Sequence, residues 1–532
     1  MSKFFDIFFY PFHIKGRVAA GTLVSEAAQI LDIPIRSDCG GKGICGKCRI
    51  VADPPENLSP AGQAEKKILA ELSASKAVRL ACQAEITGPV TITIPENLII
   101  QDESSSKTSV TTVFTPESEK TQKSGLGLAF DIGTTTIAAY LCSLDSGRIL
   151  ASQAMVNPQR RFGEDVISRI AAIREDPENL EKQQSLAAEA MNELAGLCLE
   201  KTCNNISEIR DVTAVGNTTM EHILAGISPE NLGVAPYRPV SSSAVLTDAR
   251  KIGLNLGTET PVYIFPVISG FLGGDILAAF LADQPFKRKE TCLIIDIGTN
   301  GELILYTEHG IWATSCATGP ALEGAQISCG MRAASGAISQ VFFTPESENP
   351  VSFKTIGNAE PAGICGSGII DALSAMRKAM ITLEDGKFNT QARGVACDEK
   401  GIGRKYRIPE TDIFITLSDV RQVQLAKAAL FTGIELLLEK AGIKNVDRTV
   451  LTGAFGAKFN WQNARDIGML PACILEGRVE TQQNLAGAGA VMALVRPSSR
   501  KTIQDIAPEV KFIDLACEPD FTIRFSNATR FP

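Results

Sequence analysis

The pattern of hydrophobic and polar residues changes once along the chain. Before about residue 100, short β-branched runs, such as residues 90–94 and 98–100, alternate with glycine and proline, and one helical pattern covers residues 61–73. The apolar N-terminus is interrupted by Asp6 and no small-residue cleavage site follows it, so it predicts a first strand rather than a signal peptide. Together these features are typical of a small β-rich domain with one helix.

A different pattern begins at Leu126. Short apolar strands there alternate with long amphipathic stretches, of which the clearest cover residues 165–174, 180–203 and 421–441. This alternation predicts an α/β architecture. Between the two patterns, residues 101–124 are polar and rich in Ser, Thr, Lys and Glu, so they predict a flexible linker, which either lets the N-terminal domain move or simply spaces it from the rest of the chain.

The α/β part contains an internal repeat. The segments that start at Leu128 and at Leu293 each consist of an apolar strand, a tight turn with Asp, Gly and Thr, and a second β-rich run. Each segment predicts a β-hairpin whose turn exposes main-chain N–H groups. Two copies in the same register indicate a duplicated domain.

Composition and charge exclude several classes of protein. The chain has 532 residues, of which 44% are hydrophobic and 21% charged, as in soluble proteins of about two to four domains. Its 52 Lys and Arg against 60 Asp and Glu give a net charge of −8, which argues against broad binding to nucleic acid. No apolar run reaches the roughly 18 residues of a membrane span. We therefore expect a cytoplasmic protein with neither a nucleic-acid nor a membrane partner.

Four of the 14 cysteines suggest a metal centre. Cys39, Cys45 and Cys48 fall in one glycine-rich loop and Cys82 follows, whereas the others are scattered. Without a secretory signal these thiols should stay reduced, and clustered reduced thiols are typical of metal sites. The 3 His residues form no H-E-x-x-H pair, which disfavours a zinc hydrolase.

The spacing of these cysteines indicates an iron–sulfur cluster rather than zinc. The run is C-x5-C-x2-C, one residue longer in its first loop than in plant-type ferredoxins, and it matches the adrenodoxin-like variant. A four-cysteine zinc site would normally use two C-x2-C pairs, and only one is present. Glycines at positions 40, 41, 43 and 46 allow the loop to wrap closely around a cluster. The predicted ligands of a [2Fe–2S] cluster are Cys39, Cys45, Cys48 and Cys82.

The repeated hairpin turns suit a nucleoside triphosphate. Turn N–H groups and Thr hydroxyls can hold phosphate oxygens, and the Asp can hold Mg²⁺. A glycine turn after the apolar pair Val450 and Leu451 offers a surface for an adenine ring. The predicted contacts to ATP and Mg²⁺ are Asp131, Gly133, Thr134, Thr135 and Thr136 in the first turn, Asp296, Gly298, Thr299, Asn300 and Gly301 in the second, and Gly453, Ala454, Phe455 and Gly456 in the glycine turn.

Three carboxyl groups are candidates for orienting the water that attacks the nucleotide, namely Asp275, Glu302 and Glu323. Each lies near a glycine, so capping of a helix is the alternative interpretation. Ser367 lies in a glycine-rich turn that either contacts nucleotide or partner or simply joins a strand to a helix. Three cysteines near glycine turns are interpreted as free buried thiols rather than a second cluster: Cys316, Cys329 and Cys365.

Taken in order, these motifs resemble those of a known ATPase superfamily. With residues 215–219 and 484–490, the two hairpins and the glycine turn resemble the phosphate-1, connect-1, phosphate-2, adenosine and connect-2 motifs of the actin, hexokinase and heat-shock chaperone superfamily. Joined to an N-terminal [2Fe–2S] motif, they make the chain similar to the reductive activators of corrinoid proteins. Further segments that fit this family are residues 157–159, 163–169, 273–275, 319–324, 363–368 and 531–532.

Two departures narrow the resemblance. Activators of methylamine methyltransferases carry a C-terminal [4Fe–4S] domain, whereas residues 497–532 contain only Cys517, so that branch is excluded. The D-x-H-x-x-G motif by which many corrinoid proteins take their cofactor does not occur in the sequence. The chain is therefore expected to visit a corrinoid protein and not to carry the corrinoid itself.

The resemblance implies a fold and a domain order. Residues 1–98 would form an α+β ferredoxin-like (β-grasp) [2Fe–2S] domain, and residues 99–124 a flexible linker. Two duplicated α/β ribonuclease H-like domains of the acetate and sugar kinase, heat-shock chaperone and actin superfamily would follow. The first subdomain is expected at residues 125–206, and the main domain with the nucleotide site at residues 207–532.

The resemblance also implies an activity, that of an ATP-hydrolysing iron–sulfur reductase. One electron would pass from the [2Fe–2S] cluster to the inactive Co(II) corrinoid of a methyltransferase or O-demethylase system, and ATP binding or hydrolysis would then separate the partners. An upstream low-potential electron donor and a homodimer are further implications. Two other hypotheses stay open: a small-molecule kinase regulated by a redox cluster, and an electron carrier switched by nucleotide without catalysis.

Overall fold

The structure of the protein is a computed structural model that describes residues 3–12, 14–31, 33, 35, 41–71, 77–95, 124–257, 259–324, 326–345, 349–398, 401–453 and 459–532. Two compact units make it up. The smaller contains the residues before position 102 together with Arg161–Glu164, and the larger contains the remainder. The predicted linker at residues 99–124 and the predicted run at residues 98–100 lie almost wholly outside the described residues.

The smaller unit is built on a five-stranded mixed sheet. Its elements are β1 (Phe4–Tyr10), β2 (Ile14–Ala19), α1 (Val24–Ile30), β3 (Arg49–Asp53), α2 (Gln63–Glu71), β4 (Val78–Leu80) and β5 (Val90–Thr93). The strands lie in the order β2-β1-β5-β3-β4, with β1 parallel to β5 and the other neighbours antiparallel. Alternate residues of β1 are buried, as expected for a half-buried strand, and they pack in the core of this unit with both helices. This arrangement agrees with the predicted β-grasp domain.

Helix α1 corrects the prediction of a single helix in this domain. It is 7 residues long and buries Val24, Ala27 and Ala28 in the core. Because a stretch this short covers only about two turns, its hydrophobic periodicity does not stand out in the sequence. The predicted helix at residues 61–73 corresponds to α2.

The larger unit contains two six-stranded sheets. The first has the order β10-β11-β9-β6-β7-β8 and the second has the order β22-β21-β12-β13-β14-β23. The strands of the first sheet are β6 (Leu126–Ile132), β7 (Thr136–Ser143), β8 (Ile149–Val156), β9 (Ile209–Gly216), β10 (Val245–Asp248) and β11 (Pro261–Ile264). Those of the second are β12 (Cys292–Ile297), β13 (Gly301–Thr307), β14 (Gly310–Cys316), β21 (Arg448–Thr452), β22 (Arg478–Thr481) and β23 (Val510–Phe512).

Two smaller sheets and eleven further helices complete the described part of this unit. The small sheets are formed by β15 (Ala337–Phe343), β16 (Val351–Thr355) and β17 (Gly363–Ile364), and by β18 (Val395–Cys397), β19 (Gly403–Arg407) and β20 (Phe414–Thr416). The helices are α3 (Val166–Glu175), α4 (Glu178–Thr202), α5 (Thr218–Leu224), α6 (Gly274–Asp283), α7 (Pro285–Arg288), α8 (Gly366–Lys378), α9 (Leu417–Lys440), α10 (Trp461–Asp466), α11 (Leu485–Val495), α12 (Ser498–Ile506) and α13 (Phe521–Ala528).

The two large sheets repeat one topology. In each, three consecutive strands form an antiparallel meander, β6-β7-β8 or β12-β13-β14, and the first strand of the meander is also parallel to a later strand, β9 or β21. The hairpins predicted from the two Asp-Gly-Thr turns are therefore present as β6-β7 and β12-β13. The duplication inferred from sequence is a duplication of the sheet.

Helices α6 and α11 pack between the two large sheets. Every residue of α11 is buried, and its side chains share one core with strands of both sheets. A Cβ at Gly489 would collide with the main-chain oxygen of Ala278, so the helices approach closely only because position 489 is glycine. This agrees with the small residues noted at positions 484–490. Among the helices of the described chain, none has the length and apolar character to cross a membrane.

The first large sheet continues across the predicted boundary at residues 206 and 207. Strands β6–β8 precede that position and β9–β11 follow it, and all six belong to one sheet. A boundary near residue 290 would keep both sheets whole, because β12 starts the second meander at Cys292. Sequence periodicity does not show which strands share a sheet, so the position of this boundary could not be read from it.

Candidate functional site

The strand register of the smaller unit brings two of the predicted cluster ligands together. Arg49 at the start of β3 pairs with Leu80 at the end of β4, and the N–H of Ala81 donates to the main-chain oxygen of Cys48 at 2.8 Å. The Sγ atoms of Cys48 and Cys82 consequently lie 3.3 Å apart, and both residues are buried. The hydrogen bond with Cys82, followed by burial, raises the pKa of the Cys48 thiol well above its ordinary value. In the absence of metal, the neutral thiol of Cys48 is therefore favoured over the thiolate.

The loop around these thiols requires glycine. Gly41, Gly43 and Gly46 have φ values of 84°, 68° and 65°, in the left-handed region that other residues rarely adopt. A Cβ at Gly43 would lie 2.9 Å from the side chain of Gln83. That side chain donates to the main-chain oxygen of Gly41 at 2.8 Å, which ties the loop to the residue after Cys82. The dihedral requirement predicted for the loop is met at these three positions.

Cys45 is half-buried in the same loop. After the larger effects of Cys82 and of burial, its charge also raises the pKa of the Cys48 thiol. The remaining predicted ligand, Cys39, and Gly40 lie outside the described residues. Within the described part of the chain, no three His, Cys, Asp or Glu side chains are placed to hold a metal ion together. The buried thiol pair and its glycine loop fit a cluster with cysteine ligands, because thiolate is the donor that [2Fe–2S] irons take from protein.

The first hairpin turn of the larger unit is held from several sides. The side chain of Asn157 donates to the main-chain oxygen of Gly133 at 2.9 Å, and Arg169 donates to that of Thr134 at 2.6 Å. Asn217, the N-cap of α5, donates to the Thr134 hydroxyl at 2.9 Å. Asp131 is buried at the end of β6. Burial of Tyr140 is the main cause that raises the pKa of its hydroxyl, and the charge of Asp131 raises it further. The turn that was predicted to contact phosphate is thus a fixed element.

Three of the predicted site carboxyls meet at the second hairpin. Asp296 and Glu302 are directly paired across β12 and β13, and Glu302 is also hydrogen-bonded to Asp275 at the start of α6. Burial, followed by the charges of Asp275 and Asp296, raises the pKa of Glu302 well above its ordinary value. A carboxyl with a raised pKa in such a cluster is suited to proton transfer. Glu302 lies in a strand, so the helix-cap interpretation does not apply to it.

The glycine turn after β21 lies against Asp296 of the second hairpin. Gly453 has a φ of 92°, and a Cβ there would collide with Oδ1 of Asp296 and lie 2.7 Å from the main-chain oxygen of Ile297. The close approach of the two segments therefore depends on glycine. The other predicted residues of this turn, Ala454, Phe455 and Gly456, lie outside the described residues, and their contact with adenine stays a prediction.

Glu323 and Ser367 occupy different positions. Glu323 ends a short 3-10 helix, Pro320–Glu323, and accepts a hydrogen bond from the Thr299 hydroxyl at 2.8 Å, so it lies against the second turn. Ser367 lies in the first turn of α8, shortly after β17, and its hydroxyl donates to the main-chain oxygen of Ser339 at 2.9 Å. This bond supports the joining role that the sequence left open. Cys316 and Cys365 are buried free thiols, as expected, whereas Cys329 is only half-buried.

Glu221 is a site residue that the sequence did not indicate. It lies on α5, its Oε1 accepts from the N–H of Gly216 at 3.1 Å, and it also accepts from the N–H of Gly274. A Cβ at Gly274 would collide with this carboxyl, and one at Gly273 would collide with the main chain of Gly216. Burial, followed by the charge of Asp275, raises the pKa of Glu221 well above its ordinary value.

A continuous set of contacts therefore links the two hairpins. It runs from Thr134 through Asn217 and the β9–α5 turn to Glu221, and on to Asp275 and Glu302. Because Glu221 contacts residues distant in sequence, only the folded chain reveals it. Carboxylates gathered beside these two hairpin turns are compatible with the predicted Mg²⁺–nucleotide site.

Models of three protein domains match the chain. A 2Fe-2S iron-sulfur cluster binding domain matches residues 13–87, the RACo middle region matches residues 126–287, and the C-terminal domain of RACo, the ASKHA domain, matches residues 290–532. ASKHA denotes the acetate and sugar kinase, heat-shock chaperone and actin superfamily. The matches confirm the predicted fold class of an iron–sulfur ferredoxin domain followed by a domain of this superfamily.

Several proteins resemble the chain along much of its length. The corrinoid activation enzyme RamQ of Eubacterium limosum is 31% identical over 586 residues, covering 97% of this chain and 97% of that protein. The [Co(II) methylated amine-specific corrinoid protein] reductase of Methanosarcina barkeri is 27% identical over 385 residues, covering 65% and 66%. A solved structure of a reductive activator for corrinoid, iron–sulfur protein is 26% identical, with a TM-score of 0.68 over 99% of this chain and 98% of that one.

Proposed function

Because the chain belongs to the family of reductive activators of corrinoid proteins, we propose that it reactivates the corrinoid of a methyltransferase or O-demethylase system in an ATP-dependent reaction. The substrate is the Co(II) corrinoid bound to the partner protein. The product is the Co(I) form, which differs from it by one electron. The observation that carries the proposal is the match to a corrinoid activation enzyme along 97% of the chain.

Four cysteines would hold the electron-carrying group, namely Cys39, Cys45, Cys48 and Cys82. When bound, a [2Fe–2S] cluster supplies a one-electron carrier at a low potential, near about −400 mV in plant-type proteins. The chain's own contribution is to bury Cys48 and Cys82 and to fix their loop through Gln83. A fixed, buried thiol pair would shield a bound cluster from solvent, which is one of the factors that tune its potential.

The larger unit would bind MgATP between its two hairpins. The turn N–H groups would hold the phosphates, and Asp131 and Asp296, at corresponding positions of the repeat, would bind Mg²⁺ through their carboxylates. Glu302 and Asp275 would orient the attacking water. Glu323 would position Thr299, to which it is hydrogen-bonded.

ATP would serve to complete an electron transfer that is uphill with ordinary donors. For one electron, each ~59 mV of unfavourable potential costs a factor of about ten in the equilibrium constant. A nucleotide that binds two conformations of the larger unit with different affinities can supply the few kcal/mol that such an unfavourable electron transfer requires. Its hydrolysis would release the partner before the electron returns.

Three further parts of the proposal concern the electron donor, the oligomeric state and the cellular location. The upstream donor would be a low-potential redox protein, the assembly a homodimer, and the location the cytoplasm. Elution volume with light scattering would test the assembly.

The activity is tested anaerobically with the full chain and a Co(II) corrinoid protein. The reduced protein is mixed with the corrinoid protein and MgATP, and the Co(I) absorption band is followed. We expect the band only with ATP, and neither with a non-hydrolysable analogue nor with the Cys48→Ala variant. A phosphorylated metabolite in place of Co(I) would indicate the cluster-regulated kinase. Tight ATP binding without hydrolysis or Co(I) would indicate the nucleotide-switched carrier.

A further inference from the structure

Every main-chain carbonyl of residues 133–136, the first hairpin turn, accepts a hydrogen bond. The oxygen of Gly133 accepts from the side chain of Asn157 at 2.9 Å, and that of Thr134 from the guanidinium of Arg169 at 2.6 Å. The oxygen of Thr135 accepts from the main-chain N–H of Asn157 at 2.8 Å, and that of Thr136 from the N–H of Gly133 at 3.0 Å. The turn is therefore held through all four of its carbonyls, three of them by Asn157 and Arg169.

The N–H groups of the same turn are left available. Neither Thr134 nor Thr135 donates its N–H to an acceptor among the residues that the structure describes. Both residues are half-buried rather than fully enclosed. Successive N–H groups that point the same way form an anion-binding concavity. The hydrogen bonds to the carbonyls of Gly133 and Thr134 also strengthen these two donors, because each carbonyl shares a peptide bond with the N–H that follows it.

The groups that hold the carbonyls form one buried network. Asn157, Gln159, Arg169 and Gln183 are at most 1% exposed. Gln159 donates to the main-chain oxygen of Gln183 at 3.0 Å, and Gln183 donates to that of Arg169 at 3.1 Å. The Asn157 side chain also donates to Oε1 of Gln159 at 3.0 Å. These bonds fix the position of the Arg169 guanidinium on α3.

Arg169 brings a positive charge to the turn. Its guanidinium donates to the Thr134 oxygen and to Oε1 of Gln159 at 3.4 Å, and it contacts Sδ of Met220 at 3.2 Å. Arginine stays protonated even when buried, so its charge contributes to the field in which the turn lies. In a dry interior that field decays slowly with distance.

We propose that Arg169, with Asn157, is the positioning element of the first phosphate-binding turn: it fixes the turn by its carbonyls, aims the N–H groups of Thr134 and Thr135 at the nucleotide, and makes the site selective for the polyphosphate. This inference rests on the proposed nucleotide function. It also gives a structural role to Asn157, Gln159 and Arg169, whose function the sequence did not show. Arg169 touches the turn and not the nucleotide.

The test compares variants of the full, cluster-loaded protein by calorimetric binding of MgATP and of adenosine. Arg169→Met is expected to weaken MgATP binding by about 10- to 100-fold, the effect of losing a charged hydrogen bond, and to leave adenosine binding unchanged. Arg169→Lys, which keeps the charge but reaches fewer acceptors, should fall between it and the wild type. Asn157→Ala should act in the same direction as Arg169→Met. Ile167→Ala is the matched control, because this side chain is exposed on the same helix.

Steady-state kinetics add a second readout. The KM for MgATP should rise in Arg169→Lys while kcat stays within about threefold, because the turn binds phosphate in both the ground and the transition state. Equal loss of adenosine and MgATP binding would overturn the proposal, since it would indicate general damage to the domain. MgATP binding by Arg169→Lys and Arg169→Met at the wild-type affinity would also overturn it. If the wild type itself bound no MgATP, the proposed nucleotide site would fail instead.

Discussion

The Sγ atoms of Cys48 and Cys82 lie 3.3 Å apart although 34 residues separate them along the chain. The antiparallel pairing of β3 and β4 sets this distance, because Cys48 comes directly before β3 and Cys82 follows the end of β4. Two thiols held at this separation are placed to share one iron–sulfur cluster. The cluster site therefore depends on a strand register as well as on a loop.

Replacing either thiol should remove the cluster. In Cys48→Ser and in Cys82→Ser we expect loss of the visible absorption and of the reduced-state electron paramagnetic resonance signal, with MgATP binding by the larger unit retained. Serine keeps the size of the side chain but is a poor ligand for iron in such clusters. Cys397→Ser, which changes an exposed thiol, is the control. Cys39→Ser should match the first two variants, and a full cluster in that variant would disprove its assignment as a ligand.

Gly453→Ala should reduce ATP hydrolysis by more than backbone strain alone would. A Cβ at this position would collide with Oδ1 of Asp296. Gly442 is a matched control, since its φ of 69° imposes a similar strain but nothing lies within 4 Å of its added Cβ. We expect Gly442→Ala to cost about 1 kcal/mol of stability with unchanged ATP hydrolysis. Gly453→Ala should reduce hydrolysis by at least about tenfold, and equal hydrolysis rates in the two variants would argue against the contact with Asp296.

Glu221 should tolerate conversion to its amide. Because burial and the charge of Asp275 raise the pKa of Glu221, the neutral carboxyl is favoured over the carboxylate. Glu221→Gln keeps a carbonyl that accepts from the N–H groups of Gly216 and Gly274, so kcat for ATP hydrolysis should stay within about threefold of the wild type. Glu221→Ala leaves both N–H groups buried without this acceptor and should lower kcat by about tenfold or more. Equal loss in the two variants would indicate that an ionised carboxylate is needed.

The parts of the site that could be predicted are local in sequence. The glycines of the cysteine loop, the two Asp-Gly-Thr hairpins and the small residues of α11 each carry a requirement set by nearby residues, such as a positive φ or a short turn. Gly41, Gly43 and Gly46 were therefore recognisable before the fold was known. The predicted nucleotide contacts at positions 454–456 lie outside the described residues and stay predictions.

The parts that could not be predicted depend on pairing between distant segments. Glu221 contacts Gly274, and Arg169 contacts Thr134, only because β9 adds to the first sheet beside β6 and α3 follows the meander. The same pairing places strands from both sides of residue 206 in one sheet. Helix α1 was missed for a different reason, since 7 residues are too few to establish a period.

Lys427 should give the stability of the larger unit a defined pH dependence. Its buried Nζ on α9 donates to the main-chain oxygens of Ala528 at 2.6 Å and Arg530 at 2.5 Å, near the ring of Phe531. Burial lowers the pKa of Lys427 to about 8. An unfolded lysine titrates near about 10.4, so between these two values the unfolded chain binds more protons and stability rises with pH. Between about pH 7.5 and pH 10 the wild type should gain on the order of 2 kcal/mol relative to Lys427→Met in urea unfolding. If the unfolding free energies of the wild type and of Lys427→Met changed with pH in the same way, the two carbonyls would instead be keeping Lys427 charged in the folded protein.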